Sequence, residues 1–243
     1  MKKIIKYLFL LTGGSFILAS CNDFLDREPL DSVTPDNFFF TENDLAAYAV
    51  KHYNFTTHEG FNAGIWKNDN ATDNQAATDY DKKWIPGQWK VPEAYDNPAS
   101  NDPWYFSAIR EANYFLETVV PRFEKGEIEG SETNIKHYIG EMYFLRAKNY
   151  LSKLETFGDF PIIKNTLPDE SASLIQASKR EPRHKVARFI LEDLDLAIGL
   201  LTNTISGGKN RITQNAALLL KSRAALYEAS WLTYHRGTAL VPG

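Results

Sequence analysis

The strongest constraint on the fold is a run of about seven helical turns between Ser131 and Gly158. Gly158 ends this run, and Pro161 prevents the helix from resuming. A wide stripe of apolar residues at helical spacing predicts a core helix of an all-α fold. The stripe consists of Ile135, Tyr138, Ile139, Met142, Tyr143, Ala147, Tyr150, Leu151 and Leu154.

Four further helices are predicted from cap residues and apolar spacing. Their starts are Thr41 with Asp44 as a capping box, Asp102 with Pro103, Pro182, and Thr213. The long helices fall into two pairs, at residues 103–157 and 183–236, and a Gly- and Pro-containing insert at 158–181 separates the pairs. Helix pairs with small Ala residues at their contacts predict a tetratricopeptide-like array of irregular repeat length.

The N-terminal residues predict a lipoprotein. Three lysines precede a short apolar run over residues 7–18, which is too short to span a bilayer and is typical of a signal peptide. Leu18-Ala19-Ser20-Cys21 then matches a bacterial lipobox. We therefore expect residues 1–20 to be removed, Cys21 to carry the lipid anchor, and residues 21–40 to form an extended, Pro-containing lead before the helical region at 41–243.

Composition excludes several classes of function. The 243 residues carry a formal charge of −4 without a basic cluster, which argues against nucleic-acid binding. A single cysteine excludes a disulfide framework and any multi-Cys metal site. The five histidines lack metal-ligand spacing, and no nucleophile or phosphate-binding motif occurs. The sequence therefore predicts a protein that is not an enzyme and that uses no cofactor or metal.

The segment at 58–101 lacks helical periodicity but is rich in aromatic, Asp and Asn residues. A loop of this length in a compact domain is usually functional or disordered, and three tryptophans argue against disorder. Indole and phenol rings stack on sugar rings, while carboxylates accept hydrogen bonds from hydroxyls. The candidates for glycan binding are Trp66, Asp73, Asp79, Tyr80, Trp84 and Trp89. The alternative is that these tryptophans pin the loop onto the helices.

Short blocks in the same order along the chain resemble the SusD/RagB family of surface lipoproteins. The blocks are Asn22-Asp23-Phe24-Leu25-Asp26 with Pro29; Val33-Thr34 and Asn37-Phe38-Phe39; Ala112-Asn113 with Phe115-Leu116-Glu117; Glu141 with Phe144-Leu145-Arg146-Ala147; Phe157-Gly158-Asp159-Phe160-Pro161; Asp193-Leu194 with Ala197; and Arg211-Ile212-Thr213 with Ala216-Ala217. Each block is weak alone, and their ordered sum is specific.

The resemblance implies an all-α protein of tetratricopeptide-like pairs with an irregular face that binds glycan. It also implies anchoring at the outer membrane, facing outside, beside a TonB-dependent (SusC-like) transporter that receives oligosaccharides. Because members of the family are longer, we expect this sequence to be an N-terminal part, truncated within the helical array. Two alternatives remain open at this point: a scaffold that binds a protein or peptide, and a glycoside hydrolase that uses loop carboxylates such as Asp73 and Asp79.

Overall fold

The computed structural model describes residues 38–53, 55, 104–205 and 210–241, and the backbone of two short strands. Apart from that strand pair, the fold of these residues is all-α, as predicted. Their helices are α1 (Glu42–Lys51), α2 (Ser107–Lys125), α3 (Glu132–Phe157), α4 (Ser171–Ala177), α5 (Arg183–Leu200) and α6 (Gln214–His235). Strands β1 (Ala71–Thr72) and β2 (Gln75–Ala76) pair antiparallel, with Ala71 opposite Ala76.

Helix α3 is the core element that the sequence predicts. It begins after Ser131 and ends at Gly158, whose φ of 72° lies in the left-handed region that favours glycine. It packs against α1, α2, α5 and α6, so residues on every side of it are buried and not only those of one stripe. At Gly140 an added Cβ would lie 3.0 Å from Leu200 Cβ, so the absence of a side chain allows α5 to approach closely.

The predicted caps of α1 and α6 are confirmed. The Thr41 hydroxyl accepts a hydrogen bond from the Asp44 amide at 3.3 Å, and the Asp44 carboxylate accepts one from the Thr41 amide at 3.0 Å. The Thr213 hydroxyl accepts from the Ala216 amide at 3.3 Å. Each hydroxyl satisfies an amide of the first turn that has no partner within the helix.

The structure corrects the predicted start of one helix and adds a short helix that was not predicted. Helix α2 begins at Ser107, after the predicted start at Asp102 and Pro103, which themselves lie outside the described residues. The Phe106 ring at the N-cap position stacks on Phe160 at 5.1 Å, so ring packing ties down the chain just before the helix. The insert at 158–181 also contains the short helix α4, none of whose residues is buried. A surface helix without an apolar stripe leaves little periodicity to detect.

The described helices pack in the predicted pairs, since α2 lies on α3 and α6 lies on α5. Contact between α3 and α5 joins the two pairs into one packed group of helices. None of the helices in the described ranges is both long and apolar enough to cross a membrane.

Candidate functional site

The predicted lipidation site and all six predicted glycan-binding residues lie outside the described residues. These are Cys21, Trp66, Asp73, Asp79, Tyr80, Trp84 and Trp89. The structure instead describes the two places where the candidate loop joins the helices, at Tyr53 and at Trp104. These two anchors and the buried polar groups near them are the described features next to the candidate loop in the sequence.

The first anchor is the hydroxyl of Tyr53, two residues beyond the end of α1. It donates to Glu141 Oε1 at 2.7 Å and accepts from the Ile212 amide at 3.0 Å. Burial raises the pKa of Tyr53, and the nearby Glu141 charge raises it further. The hydroxyl therefore stays protonated and remains a donor to the carboxylate.

Glu141 on α3 is fully buried, and Arg211 neutralises it. The guanidinium donates from Nε to Oε1 at 2.9 Å and from Nη2 to Oε2 at 2.5 Å. Its Nη1 donates to the Ala46 carbonyl at 3.3 Å, and its carbon lies 4.7 Å from the centroid of the Tyr138 ring. This group connects α1, α3 and the turn before α6, where a buried carboxylate without a partner would be costly.

The second anchor is Trp104, three residues before α2. Its ring stacks on Phe157 with 4.0 Å between centroids and an angle of 28° between planes, and Phe160 follows at 5.9 Å. The guanidinium of Arg180 lies 4.7 Å from the Trp104 ring centroid. The Phe157-Gly158-Asp159-Phe160-Pro161 block thus supplies the aromatic rings on which Trp104 stacks.

A second buried polar group lies under the insert. Arg146 on α3 binds Asp193 on α5 through two hydrogen bonds of 2.7 and 2.8 Å, and its Nη1 donates to Asn113 Oδ1 at 2.9 Å. Asn113 Nδ2 in turn donates to the Ile163 carbonyl at 2.9 Å. Burial raises the pKa of Asp193, while the Arg146 guanidinium acts in the opposite direction.

A third group joins α5 to α6. Arg183 donates from Nη2 to Glu228 Oε2 at 2.8 Å, and its guanidinium lies 4.1 Å from the centroid of the Trp231 ring. The Arg183 amide donates to Asp159 Oδ1 at 2.8 Å. Bidentate pairs of this kind fix the relative register of the helices that carry them.

Five polar residues were predicted only as parts of the family blocks, and the buried polar framework that they form was not predicted. They are Asn113, Glu141, Arg146, Asp193 and Arg211. One feature of the sequence does indicate buried charge pairs. Glu141 and Arg146 interrupt the apolar stripe of α3, and a charge inside a core stripe needs a buried partner. Which residue supplies that partner depends on the packing of α5 and of the turn before α6, and the sequence does not specify this.

Two cavities border the Phe157-Gly158-Asp159-Phe160-Pro161 block. One, of about 370 Å³, has mainly apolar walls formed by Trp104, Phe106, Ile109, Pro161, Ile163, Leu167 and Leu174, with Arg110, Asn113, Asn165 and Ser178 as polar members. The other, of about 340 Å³, is lined by hydrogen-bonding groups from Glu155, Asp159, Arg180, Arg183 and Trp231 together with apolar neighbours. Both have the size of small-ligand sites. In the described part of the chain, no cluster of three or more His, Cys, Asp or Glu could hold a metal ion.

Comparison with known families gives a match over residues 23–226 to SusD-like proteins, described as starch-binding and associating with the outer membrane. Two curated relatives come from Formosa agariphila. SusD-like protein P2 is 26% identical in an alignment of 219 residues that covers 88% of this chain and 40% of that protein. SusD-like protein P25 is 23% identical in an alignment of 243 residues that covers 95% of this chain and 44% of that protein.

Among solved structures, a SusD-like protein from Bacteroides fragilis superposes with a TM-score of 0.62 at 25% sequence identity. The match covers 84% of this chain and 38% of that one. The chain therefore spans less than half the length of these relatives. The family match over residues 23–226 includes Tyr53, Trp104 and all five residues of the buried polar framework.

Proposed function

Because the chain belongs to the SusD-like family, described as starch-binding and associated with the outer membrane, we propose that it is a surface-exposed glycan-binding lipoprotein. It captures oligosaccharides and delivers them to a TonB-dependent, SusC-like outer-membrane transporter. The observation that carries this proposal is the family match over residues 23–226, which includes the aromatic loop at 58–101. The N-terminal lipobox supports the same location.

In this proposal the loop supplies the glycan contacts. Trp66, Tyr80, Trp84 and Trp89 offer flat apolar faces to the C–H groups of sugar rings, and Asp73 and Asp79 accept hydrogen bonds from hydroxyls. Trp84 and Trp89 flank Pro86-Gly87, a pair typical of turns, so a loop tip would present both rings.

The proposed activity is binding without bond cleavage. Capture raises the local oligosaccharide concentration at the transporter, and the acyl chains on Cys21 keep the binding protein at the membrane. The protein needs no cofactor or metal for this role. A hydrolase using Asp73 and Asp79, and a scaffold that binds only protein or peptide, are the alternatives that the experiment below separates.

The test is calorimetry of the full-length protein against a panel of oligosaccharides and polysaccharides. Replacing both Trp84 and Trp89 by Ala removes two stacking faces, each contributing about 1 kcal/mol, so affinity should fall roughly 30-fold. Tyr234→Ala is the control, because it removes an exposed aromatic ring of α6 outside the loop and should leave affinity unchanged. Circular dichroism should show the same helicity in all three proteins.

Two results would contradict the proposal. Unchanged affinity in the double Trp variant would remove the loop from the glycan site, and binding of protein ligands alone would favour the scaffold. Asp73→Asn and Asp79→Asn should weaken binding by removing acceptors, while the wild-type protein releases no reducing sugar. Sugar release that disappears in either variant would instead identify a hydrolase.

The lipid anchor is tested separately by Cys21→Ala. Without the thiol no acyl chain can be attached, and each buried methylene of a lipid chain contributes about 0.8 kcal/mol to membrane binding. The variant should therefore move from the membrane fraction to the soluble fraction after a high-salt wash. Retention in the membrane after the wash would argue that Cys21 is not the anchor.

A further inference from the structure

The apolar cavity between α2 and α4 differs in chemistry from a glycan site. It measures about 370 Å³, a volume typical of small-ligand pockets, and apolar side chains such as Phe106, Ile109 and Leu167 form most of its walls. Each hydroxyl of a sugar needs a hydrogen-bond partner when it leaves water. The cavity offers few such partners, so an apolar molecule fits it better than a saccharide does.

Most polar groups in the cavity wall are already used within the protein. Asn113 is fully buried, and its Nδ2 donates to the carbonyls of Ile163 at 2.9 Å and Asn165 at 3.3 Å. Its Oδ1 accepts from a guanidinium of α3. The Ser178 hydroxyl donates to the Ile175 carbonyl at 2.7 Å. The bonds of Asn113 hold the segment after α3 against α2, so this wall is formed before any ligand binds.

One cation at the cavity has no partner of its own. Arg110 on α2 is the only charged residue that lines the cavity in the described part of the chain. It is exposed, and its guanidinium makes no hydrogen bond or ion pair with any described residue. A guanidinium binds a carboxylate through two parallel hydrogen bonds, which makes it a selective partner for an acidic group. The cavity thus combines apolar walls with one unpaired positive charge.

Helix α4 forms one wall of the cavity and is loosely attached. Leu174 lines the cavity although it is 42% exposed, and no residue of α4 is buried. No other described helix or strand packs extensively against α4. Two backbone hydrogen bonds of 3.1 Å between Phe160 and Glu181 close the base of the insert. A helix that buries so little is displaced at low cost, so a ligand can enter beneath α4 while the base stays intact.

We propose that this cavity is a binding site for a small hydrophobic carboxylate. The apolar part of the ligand lies between α2 and α4, and its carboxylate accepts hydrogen bonds from Arg110. Charge distinguishes ligands of one shape, because an anion gains the Arg110 contact, a neutral analogue lacks it, and a cation is repelled. None of the residues that line the cavity belongs to the candidate glycan loop at 58–101, so the site does not depend on glycan binding.

The test is calorimetry of the full-length protein with naphthalenes that differ only in their polar group. At about pH 7 the probe 2-naphthoate is an anion, 2-naphthamide is neutral, and 2-(aminomethyl)naphthalene is a cation. We expect the naphthoate to bind about tenfold more tightly than the amide, the equivalent of one hydrogen-bonded contact to a charged group. The cation should bind more weakly than the amide.

A pair of arginine variants tests the charge of the site. Arg110→Gln should lower naphthoate affinity about tenfold and change amide affinity by less than about twofold. The matched control is Arg223→Gln on α6, which removes an exposed arginine that does not line the cavity. It should leave both affinities unchanged.

A pair of leucine variants tests the location of the site. Leu174→Asp places a carboxylate in the apolar wall and should weaken binding of naphthoate and amide by at least about tenfold. The matched control is Leu226→Asp on α6, where the leucine is 69% exposed and does not line the cavity. Both leucines are exposed, so circular dichroism should show unchanged helicity.

Four results would overturn the proposal. Absence of naphthoate binding to the wild-type protein would mean that the cavity is filled or covered in solution. Equal affinities for naphthoate and amide, unaffected by Arg110→Gln, would reject an acidic ligand. Loss of binding in Leu226→Asp but not in Leu174→Asp would place the probe on the exposed leucines of α6. Loss of glycan affinity in Leu174→Asp would make the cavity part of the glycan site.

Discussion

Helices α3 and α6 are similar in length and both carry many apolar residues, yet they differ in burial. Of the 26 residues of α3, 14 are buried, whereas only Ala217, Ala224 and Glu228 are buried among the 22 residues of α6. The outer face of α6 exposes Leu219 at 73% and Leu226 at 69%. Apolar composition alone therefore does not identify a core helix; the number of neighbouring elements does.

The difference in burial also determines which charged side chains need a paired partner. Four described helices surround α3, and its Glu141 and Arg146 are buried only because Arg211 and Asp193 pair with them. In contrast, α6 lies mainly on α5, and its outer leucines form an exposed apolar surface of the kind at which proteins associate. The following predictions test this contrast, from the largest expected effect to the smallest.

The largest effect is expected from the buried pair under α3. Arg146→Ala leaves the Asp193 carboxylate buried without its two hydrogen bonds, which should cost about 3–5 kcal/mol in the free energy of unfolding. Urea unfolding followed by circular dichroism measures this cost. The double variant Arg146→Met with Asp193→Leu removes both charges and should recover most of the loss. A cost below about 1 kcal/mol for the single variant would mean that the pair is not buried in solution.

The second prediction compares one leucine on each helix. Leu154 on α3 is 1% exposed, so Leu154→Ala should destabilise the protein by about 2–5 kcal/mol through lost burial and a cavity. Leu226→Ala on α6 should change stability by no more than about 0.5 kcal/mol.

A hydrophobic dye gives an independent readout of the same contrast. Replacing both Leu219 and Leu226 by Lys should lower dye binding to the folded protein without lowering its unfolding midpoint. Equal destabilisation by Leu154→Ala and Leu226→Ala would show that the outer face of α6 is covered in solution. The comparison between the two helices would then fail.

The sequence predicts the local features of these helices better than their burial. Caps and stripes locate α1, α3, α5 and α6, because Thr41, Gly158, Pro182 and Thr213 act through local geometry that the sequence specifies. Periodicity did not separate α3, more than half of whose residues are buried, from the more exposed α6, since burial depends on neighbours distant in sequence. The predicted start of α2 was wrong for a similar reason: just before the helix, Phe106 packs on Phe160, which is distant in sequence.

For the candidate site, the sequence identified the blocks but not their roles. Four charged residues of these blocks form two pairs, Arg146 with Asp193 and Arg211 with Glu141, and the partner of each charge follows from helix packing. Tyr53, the anchor before the loop, belongs to none of these blocks. Its role follows from two contacts, to Glu141 and Ile212, that lie 88 and 159 positions away in the sequence.

The third prediction concerns alkaline pH and the buried Tyr150 of α3. Burial raises the pKa of Tyr150 from 10.0 to about 12. Between pH 10 and about 12 the unfolded chain loses a proton that the folded protein keeps, so stability is full below pH 10 and falls as pH rises. The loss should reach about 2 kcal/mol at pH 12. Tyr150→Phe should flatten this part of the stability profile, as measured by urea unfolding at each pH; an unchanged slope would contradict the prediction.

The smallest effect is expected at the first turns of α3 and α6, because only α6 has a side-chain cap hydrogen bond there. The Thr213 hydroxyl caps α6 by accepting from the Ala216 amide, whereas the Ser131 hydroxyl makes no cap hydrogen bond to α3. The Ser131 backbone amide instead donates to Glu42 Oε2 at 2.7 Å, a contact that Ser131→Ala leaves intact. Thr213→Ala should therefore cost about 1 kcal/mol and Ser131→Ala only a few tenths. Thermal unfolding of both variants measures the difference. If Ser131→Ala costs as much as Thr213→Ala, α3 depends on a local cap as α6 does, and burial from all sides does not by itself hold its first turn.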